Sequence, residues 1–151
     1  MAENKINIKN KKAYFQYEII EKFVAGIELL GTEIKSIRLG KASLVDAYCQ
    51  FIEGELFLKM NISEYKFGGH YNHEPNRERK LLLTRKELKR LERKVQTSGM
   101  TIVPIEMFLN ENGWVKLEVA LAKGKTAGDK RQDIKQRDAN REMDRIKKIK
   151  N

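Results

Sequence analysis

The chain has 151 residues, 40% of them hydrophobic, and this length and composition predict a single domain with a buried core. Its 31 Lys and Arg residues outnumber its 21 Asp and Glu residues, and the net charge of +10 favours a polyanionic partner over a basic surface kept for solubility. No apolar stretch approaches the roughly 20 residues that a membrane span needs. We also expect no secretory signal, and the single Cys49 fits a reducing, cytoplasmic compartment.

The sequence of the N-terminal region predicts a basic arm followed by a long strand. Residues 1–12 carry four Lys against one Glu and form the arm. From Phe15 to Leu29 the apolar residues occupy mainly odd positions, which is the period of a β-strand. Glu21 interrupts this face and predicts a bulge, while Gly26 would allow the strand to bend.

A short helix is predicted next, from Thr32 to Leu39. Thr32 is suited to cap the N-terminus, and Gly40 is suited to the left-handed residue that follows a helix. Helical spacing gives this segment two faces. Ile34 and Ile37 would face inward, whereas Lys35 and Arg38 would face outward.

Hairpins and one further helix account for the rest of the predicted domain. Glu53-Gly54 predicts a turn between strands 48–52 and 55–61, and Asn112-Gly113 predicts one between strands 103–109 and 115–121. Residues 62–80 lack a clear period and are expected to form a long loop. Thr84 and Glu87 match a capping box for a helix that ends near Gly99 and buries Leu88, Leu91 and Val95.

Five or six strands in hairpins, with two helices, favour a mainly β architecture. A small antiparallel barrel of the OB type removes exposed edges with this number of strands. We therefore predict an OB-like barrel over residues 13–122, flanked by helices.

The C-terminal tail, residues 123–151, contains seven Lys and four Arg against four Asp and one Glu, a net charge of +6. It has few apolar residues, so we expect it to be disordered when free. Its apolar residues nevertheless follow a weak helical spacing, so the tail could fold as a helix on a partner. These residues are Ala139, Met143, Ile146 and Ile149.

Enzyme motifs are weak in this sequence. His70 and His73 could bind a metal, which would make the protein a metal hydrolase, but no second cluster of ligands accompanies them. No nucleophile elbow or phosphate-binding loop is present. We therefore expect no enzymatic activity, no cofactor and no metal.

Four basic clusters at loops and element ends favour RNA binding over a metal hydrolase or another enzyme. Such loops border the mouth of OB-type barrels, where nucleic acid binds. We predict that the clusters form one continuous basic face. The basic helix that follows Thr84 is most simply an exposed, solvated face opposite its apolar side, although such a face can also track phosphates. The four clusters are Asn10-Lys11-Lys12, Lys35/Arg38/Lys41, Arg77/Arg79/Lys80 and Lys123/Lys125.

Four stretches in order along the chain resemble the SsrA-binding protein family, the bacterial small protein B that partners tmRNA. They are Asn10–Ala13, Gly31–Lys41, Asn72–Leu83 and Ala122–Arg137. The chain departs from the family pattern at Val24, where an acidic residue is common, and at Gly128, where His or an aromatic residue is common.

The resemblance implies a non-enzymatic, monomeric protein with an OB-like barrel. The barrel would bind the tRNA-like domain of tmRNA and bring aminoacylated tmRNA to ribosomes stalled on messages without a stop codon. Elongation factor Tu and the small ribosomal subunit are the further partners implied. The tail would probe the empty mRNA channel and fold there as a helix.

The resemblance also carries over individual residues. The tmRNA-facing positions are Asn10, Lys11, Glu33, Lys35, Arg38, Lys41, Arg77, Arg79 and Leu82, and the tail residues that meet the ribosome are Asp129, Lys130, Arg131, Lys135 and Arg137. A carboxylate at an RNA surface accepts from a base amino group or orients a neighbouring cation, unless Glu33 is simply an exposed acid in the first turn of its helix. Leu82 could equally be a core residue. A generic OB-type binder of single-stranded RNA or DNA, such as a ribosomal protein, is the main alternative.

Overall fold

The structure, a computed structural model, describes residues 6–125, 131, 134–141 and 143. Three helices occur within residues 6–125: α1 (Ala13–Gln16), α2 (Gly31–Arg38) and α3 (Arg85–Ser98). The same part of the chain contains seven strands: β1 (Asn7–Lys9), β2 (Tyr17–Ile27), β3 (Ala42–Ile52), β4 (Glu55–Ile62), β5 (Glu78–Leu82), β6 (Thr101–Leu109) and β7 (Val115–Gly124).

The strands form one antiparallel sheet in the order β1-β6-β7-β2-β5-β4-β3. The edge strand β3 also lies against β6 and β1, so the sheet curls until its two edges meet. Closure of this kind removes the exposed edges that an open sheet would present. The predicted OB-like barrel with flanking helices is therefore confirmed.

The long predicted strand begins two residues later than expected, because Phe15 belongs to α1. The bulge predicted at Glu21 is confirmed, since the register of β2 against β7 shifts between Ile19 and Glu21. Gly26 pairs with residues of both β7 and β5. A Cβ atom at Gly26 would lie 3.2 Å from the Leu82 Cβ, so the glycine lets β2 pass closely against β5.

Three segments of strand were not predicted. Residues 7–9 of the predicted N-terminal arm form β1 and pair with β6, so this part of the arm belongs to the barrel. Residues 42–47 extend β3 toward α2. The predicted loop 62–80 contains the start of β5, whose alternation is hidden in the sequence because the inward-facing residue at its second position is Arg79.

The barrel interior is filled by the inward faces of the strands and closed by α3. Along β4 every second residue is buried, and α3 adds Leu88 and Leu91. A second, smaller cluster lies under α1 and anchors the N-terminal segment to the barrel. Its buried members are Ala13, Val103, Ile105, Ala120 and Ala122.

The capping box predicted for α3 is confirmed. The Thr84 hydroxyl accepts from the Glu87 N–H at 3.2 Å, and the Glu87 carboxylate accepts from the Thr84 N–H at 3.1 Å. At the other end Gly99 adopts φ 64°, the left-handed conformation expected after a helix.

Thr84→Ala is expected to lower the free energy of unfolding by about 1 kcal/mol, because the first turn of α3 loses the acceptor for an otherwise unpaired N–H. Urea denaturation measures this loss. Thr97→Ala is the matched control, since the exposed Thr97 hydroxyl bonds only within the helix, to the Arg93 carbonyl. We expect its effect to stay within about 0.5 kcal/mol, and equal losses in the two variants would contradict the capping role.

Candidate nucleic-acid interface

The first turn of α2 differs from the prediction. The helix begins at Gly31, and the carboxylate of Glu33, rather than the hydroxyl of Thr32, caps it by accepting from the Leu30 N–H at 2.7 Å. Gly40 adopts φ 72° after the helix, as expected. Because Glu33 serves as the cap, Thr32 is available for a contact with the loop before β5.

Glu33 lies at the centre of a buried ionic cluster. Its two oxygens accept from Arg77 Nη2 and Arg79 Nε, both at 2.6 Å. Glu33 and Arg79 are both 0% exposed. The remaining Arg79 nitrogens donate to the carbonyls of Met60 at 2.6 Å and Pro75 at 3.1 Å, so the guanidinium is satisfied within the protein.

The cluster keeps the Glu33 carboxylate ionised. Burial acts to raise its pKa, but the hydrogen bonds from Arg77, from the Leu30 N–H and from Arg79 outweigh burial and hold the pKa below the usual value for a glutamate. A charged carboxylate therefore ties α2 to β5 and to the end of β4.

Glu33 orients Arg77, whose side chain is 35% exposed. Of the roles predicted for Glu33, orientation of a neighbouring cation is the one that the geometry supports. The interpretation of Glu33 as an exposed acid in the first helical turn is wrong, because Glu33 is buried, as is Arg79. These two residues position the surface rather than form it.

His73 is a second buried link between α2 and the loop. Its Nε2 lies 2.8 Å from the Ile62 carbonyl and its Nδ1 lies 2.9 Å from Thr32 Oγ1. Because a carbonyl only accepts, Nε2 donates to Ile62, and in the neutral ring Nδ1 then accepts from the threonine hydroxyl. Both ring nitrogens are thereby used.

The metal site considered as an alternative is not supported by the arrangement of the described side chains. Within residues 6–125 and the described part of the tail, no group of three His, Cys, Asp or Glu side chains could hold a metal. His70 is exposed in a short 3₁₀ turn, Gly69–Tyr71. Burial raises the pKa of the Cys49 thiol, which disfavours the thiolate that metal binding needs.

A cleft of about 620 Å³ opens where the two edges of the barrel meet. One wall is the segment from Ile8 to Lys12 together with the start of β6, and the facing wall is residues 42–48 of β3. Between Ser43 and Tyr48 the pairing of β3 with β4 is interrupted. The interruption leaves Val45 72% exposed and Asp46 at φ 58°.

Three of the four basic clusters lie beside this cleft or on α2, the helix that precedes the facing wall in sequence. Lys11 and Lys12 stand on one wall, and Lys125 joins them by donating to the Tyr14 carbonyl at 2.8 Å. Exposed Lys41 directly precedes the facing wall. The clusters concerned are Asn10/Lys11/Lys12, Lys123/Lys125 and, on the exposed side of α2 and just after it, Lys35/Arg38/Lys41.

The fourth cluster is divided by the fold. Arg77 reaches the surface beside α2, whereas Arg79 is buried. Lys80 points outward from β5 and pairs with Glu55, at the start of β4. The prediction of one continuous face therefore needs correction, because alternation along β5 sends neighbouring side chains to opposite sides of the sheet.

Leu82 is 47% exposed and packs beside Gly26. Its alternative interpretation as a core residue is therefore wrong. An exposed leucine at a strand end leaves apolar area available for a partner.

The described part of the tail, residues 131, 134–141 and 143, is helical and exposed. Lys135 and Arg137 lie on this helix, and Arg131 belongs to its described start. The Arg137 guanidinium stacks over the Phe15 ring at 5.5 Å. Asp129 and Lys130 lie outside the described residues, and disorder of the free tail stays a prediction.

Sequence reasoning missed the apolar wall of the cleft, formed by Val45 and Tyr48. Both are largely exposed, at 72% and 45%. The available signal was the loss of strand alternation between Ser43 and Ala47, which marks a bulge next to a basic segment.

A closed antiparallel barrel with a cationic cleft at its seam defines a small nucleic-acid-binding protein of the OB class. In the part of the chain described, no helix is long and apolar enough to cross a membrane.

Comparison with known proteins narrows this class. The family model for the SmpB protein matches residues 7–149. An SsrA-binding protein of Phocaeicola vulgatus is 58% identical over 97% of this chain and 98% of its own length, and one of Flavobacterium psychrophilum is 55% identical over 95% and 96%. A solved chain described as "tmRNA-SmpB: a journey to the center of the bacterial ribosome" is 43% identical, covers 81% of this chain and 86% of its own, and has a TM-score of 0.67. The chain belongs to the SmpB family.

Proposed function

We propose that this protein binds tmRNA and acts with it on the bacterial ribosome in trans-translation. Relatives at 58% and 55% identity are SsrA-binding proteins, and a solved chain of the same fold is named for tmRNA and the ribosome. The barrel binds the tRNA-like domain of tmRNA. The protein has no enzymatic activity of its own and works in the cytoplasm.

The cationic cleft is the observation that carries this proposal. One wall carries Lys11 and Lys12, and the facing wall presents exposed Val45 and Tyr48 beside Asp46, with exposed Lys41 directly before it. Phosphates favour the cations, and unpaired bases favour apolar and aromatic surfaces such as Tyr48. Glu33 also fixes the orientation of the Arg77 guanidinium beside α2.

Delivery to the ribosome extends the proposal. The monomer enters a complex with elongation factor Tu, and the tail occupies the empty mRNA channel of the small subunit. The +6 charge of residues 123–151 and the helicity of residues 134–141 support this role. A message in the channel would exclude the tail, which restricts the protein to ribosomes whose message has run out.

The double variant Lys11→Gln/Lys41→Gln tests the cleft. Removing one exposed cation from each side should lower affinity for the tRNA-like domain about tenfold at physiological salt and reduce the salt slope of log K by about 1.4–1.8. Filter binding across a salt series measures both quantities.

The matched control is Lys59→Gln/Lys116→Gln, which removes the same charge from outward positions of β4 and β7. Equal losses in the two variants would refute the cleft as the binding site. Competition with bulk tRNA and single-stranded DNA tests the alternative of a generic OB-type binder, since only a tmRNA-binding protein prefers the tRNA-like domain.

A further inference from the structure

Asp46 is an exposed acidic residue in the cationic cleft. Its φ of 58° lies in the left-handed region, which aspartate and asparagine enter more readily than most other side chains. Glu53 is the other non-glycine residue with a positive φ in the part of the chain that the structure describes, and there the hairpin turn with Gly54 requires this conformation. Asp46 instead lies within β3, where no chain reversal accounts for it.

The bend in β3 turns two neighbouring side chains outward. Leu44 is 1% exposed and packs in the core, after which Val45 and Asp46 are both exposed. A regular strand would send one of these two inward. The Ser43 hydroxyl accepts from the Val45 N–H at 3.1 Å, where the pairing of β3 with β4 is interrupted. The cleft therefore presents a carboxylate directly beside an apolar side chain.

The Asp46 carboxylate does not neutralise the cations of the cleft. Within the described residues it forms no ion pair, although Lys11 and Lys12 line the facing wall. A carboxylate repels the phosphates that those lysines attract, so an RNA backbone offers it no favourable contact. Its oxygens only accept hydrogen bonds, and the N–H donors of RNA are on its bases. Asp46 is therefore suited to contact a base edge.

Guanine is the base whose Watson–Crick edge fits a carboxylate best. It carries two adjacent donors, N1–H and the 2-amino group, which match the two carboxylate oxygens in a charge-assisted bidentate pair. Adenine and cytosine place an acceptor nitrogen beside their amino group, and uracil places its N–H between two carbonyls. Because base pairing occupies this edge, the guanine has to be unpaired.

We propose that Asp46 is a specificity-determining residue of the cleft, which binds the Watson–Crick edge of an unpaired guanine whose ring packs on Val45 and Tyr48. These two side chains are 72% and 45% exposed. Stacking on an aromatic ring tolerates every base, so the carboxylate supplies the selectivity. The lysines of the facing wall bind the adjoining phosphates. This inference rests on the proposed function, because it requires the cleft to hold RNA.

The test uses the full chain and labelled RNA heptamers of uridine with one central base, which is guanine, hypoxanthine or adenine. Hypoxanthine lacks only the 2-amino group of guanine. The wild type should bind the guanine heptamer about tenfold more tightly than the adenine heptamer, with the hypoxanthine heptamer between them. Fluorescence anisotropy measures the three affinities.

Asp46→Asn should abolish the preference for guanine. Asparagine tolerates the left-handed conformation, and its amide presents one donor and one acceptor, which match the edge of adenine. The variant should therefore bind the adenine heptamer at least as tightly as the guanine heptamer. Circular dichroism should show unchanged folding, since the exposed side chain keeps its size.

The matched control is Glu111→Gln, which removes one exposed carboxylate outside the cleft and should keep the wild-type order of affinities. Equal or unmeasurable binding of the three heptamers by the wild type, or a guanine preference that survives in Asp46→Asn, would overturn the inference. A uniform gain in affinity in both variants, with the order unchanged, would also overturn it, because the carboxylate would then act by repulsion alone. The proposed function fails by a different result, namely unchanged binding of the tRNA-like domain in Lys11→Gln/Lys41→Gln.

Discussion

Glu33→Gln is expected to lower the free energy of unfolding by about 3–5 kcal/mol, because it leaves the Arg79 guanidinium buried without a compensating charge. Arg79 is fully buried and cannot turn to solvent. Glutamine keeps the shape of the side chain, so packing loss contributes little. Urea denaturation followed by circular dichroism measures the difference.

The other arginine supplies the control. Arg77→Gln removes an equally short contact to Glu33, but Arg77 is 35% exposed, so water screens the pair and we expect a loss of about 1 kcal/mol or less. The double variant Glu33→Gln/Arg79→Met removes both buried charges and should be more stable than Glu33→Gln alone. Similar losses for Glu33→Gln and Arg77→Gln would contradict this account.

The same carboxylate sets a pH dependence. The pKa of Glu33 is lower in the folded protein than in the unfolded chain, so its contribution to stability is complete above the unfolded value of about 4.3. The contribution is lost as pH falls through the lowered folded value. Wild-type stability should therefore fall more steeply than that of Glu33→Gln below about pH 4.

The barrel could be predicted because most of its strands follow simple patterns. The hairpin around Asn112-Gly113, the bulge at Glu21 and the capping box at Thr84 all depend on neighbours in sequence, and all three are confirmed. The strand β5 depends on a distant residue instead. Arg79 can face the interior only because Glu33 is 46 residues away in sequence and adjacent in space.

The site was predictable in its charges and not in its shape. Basic residues at loops such as Lys11 and Lys41 were identified from sequence; Lys11 lines the cleft, and exposed Lys41 directly precedes its facing wall. The cleft itself arises from closure of the barrel between β1, β3 and β6, which joins residues about 35–90 positions apart. Local patterns carry no signal for such closure. Arg77, Arg79 and Lys80 appeared to be one cluster for a different reason, because β5 was predicted as a loop and its alternation was missed.

Truncation after Lys125 is expected to leave binding of the tRNA-like domain within about twofold of the wild type and to abolish peptide tagging on stalled ribosomes. The retained chain includes the whole barrel and the Lys125 contacts with Gln16 and Tyr14. The removed residues 126–151 carry a net charge of +4, and their described part is exposed helix. Filter binding measures the first activity, and tag addition in a reconstituted translation system measures the second.

Asp129→Ala/Lys130→Ala/Arg131→Ala should reproduce part of the tagging loss, since the tail keeps its length and most of its charge.

Arg137→Gln separates docking on the barrel from action on the ribosome, because Arg137 stacks on Phe15 in this structure. Phe15→Leu removes the same contact from the barrel side and leaves the tail intact. If tagging falls in Arg137→Gln alone, Arg137 acts on the ribosome; if it falls equally in both, the stacked arrangement is what the ribosome recognises. Equal loss of RNA binding and tagging on truncation would refute the division of labour between barrel and tail.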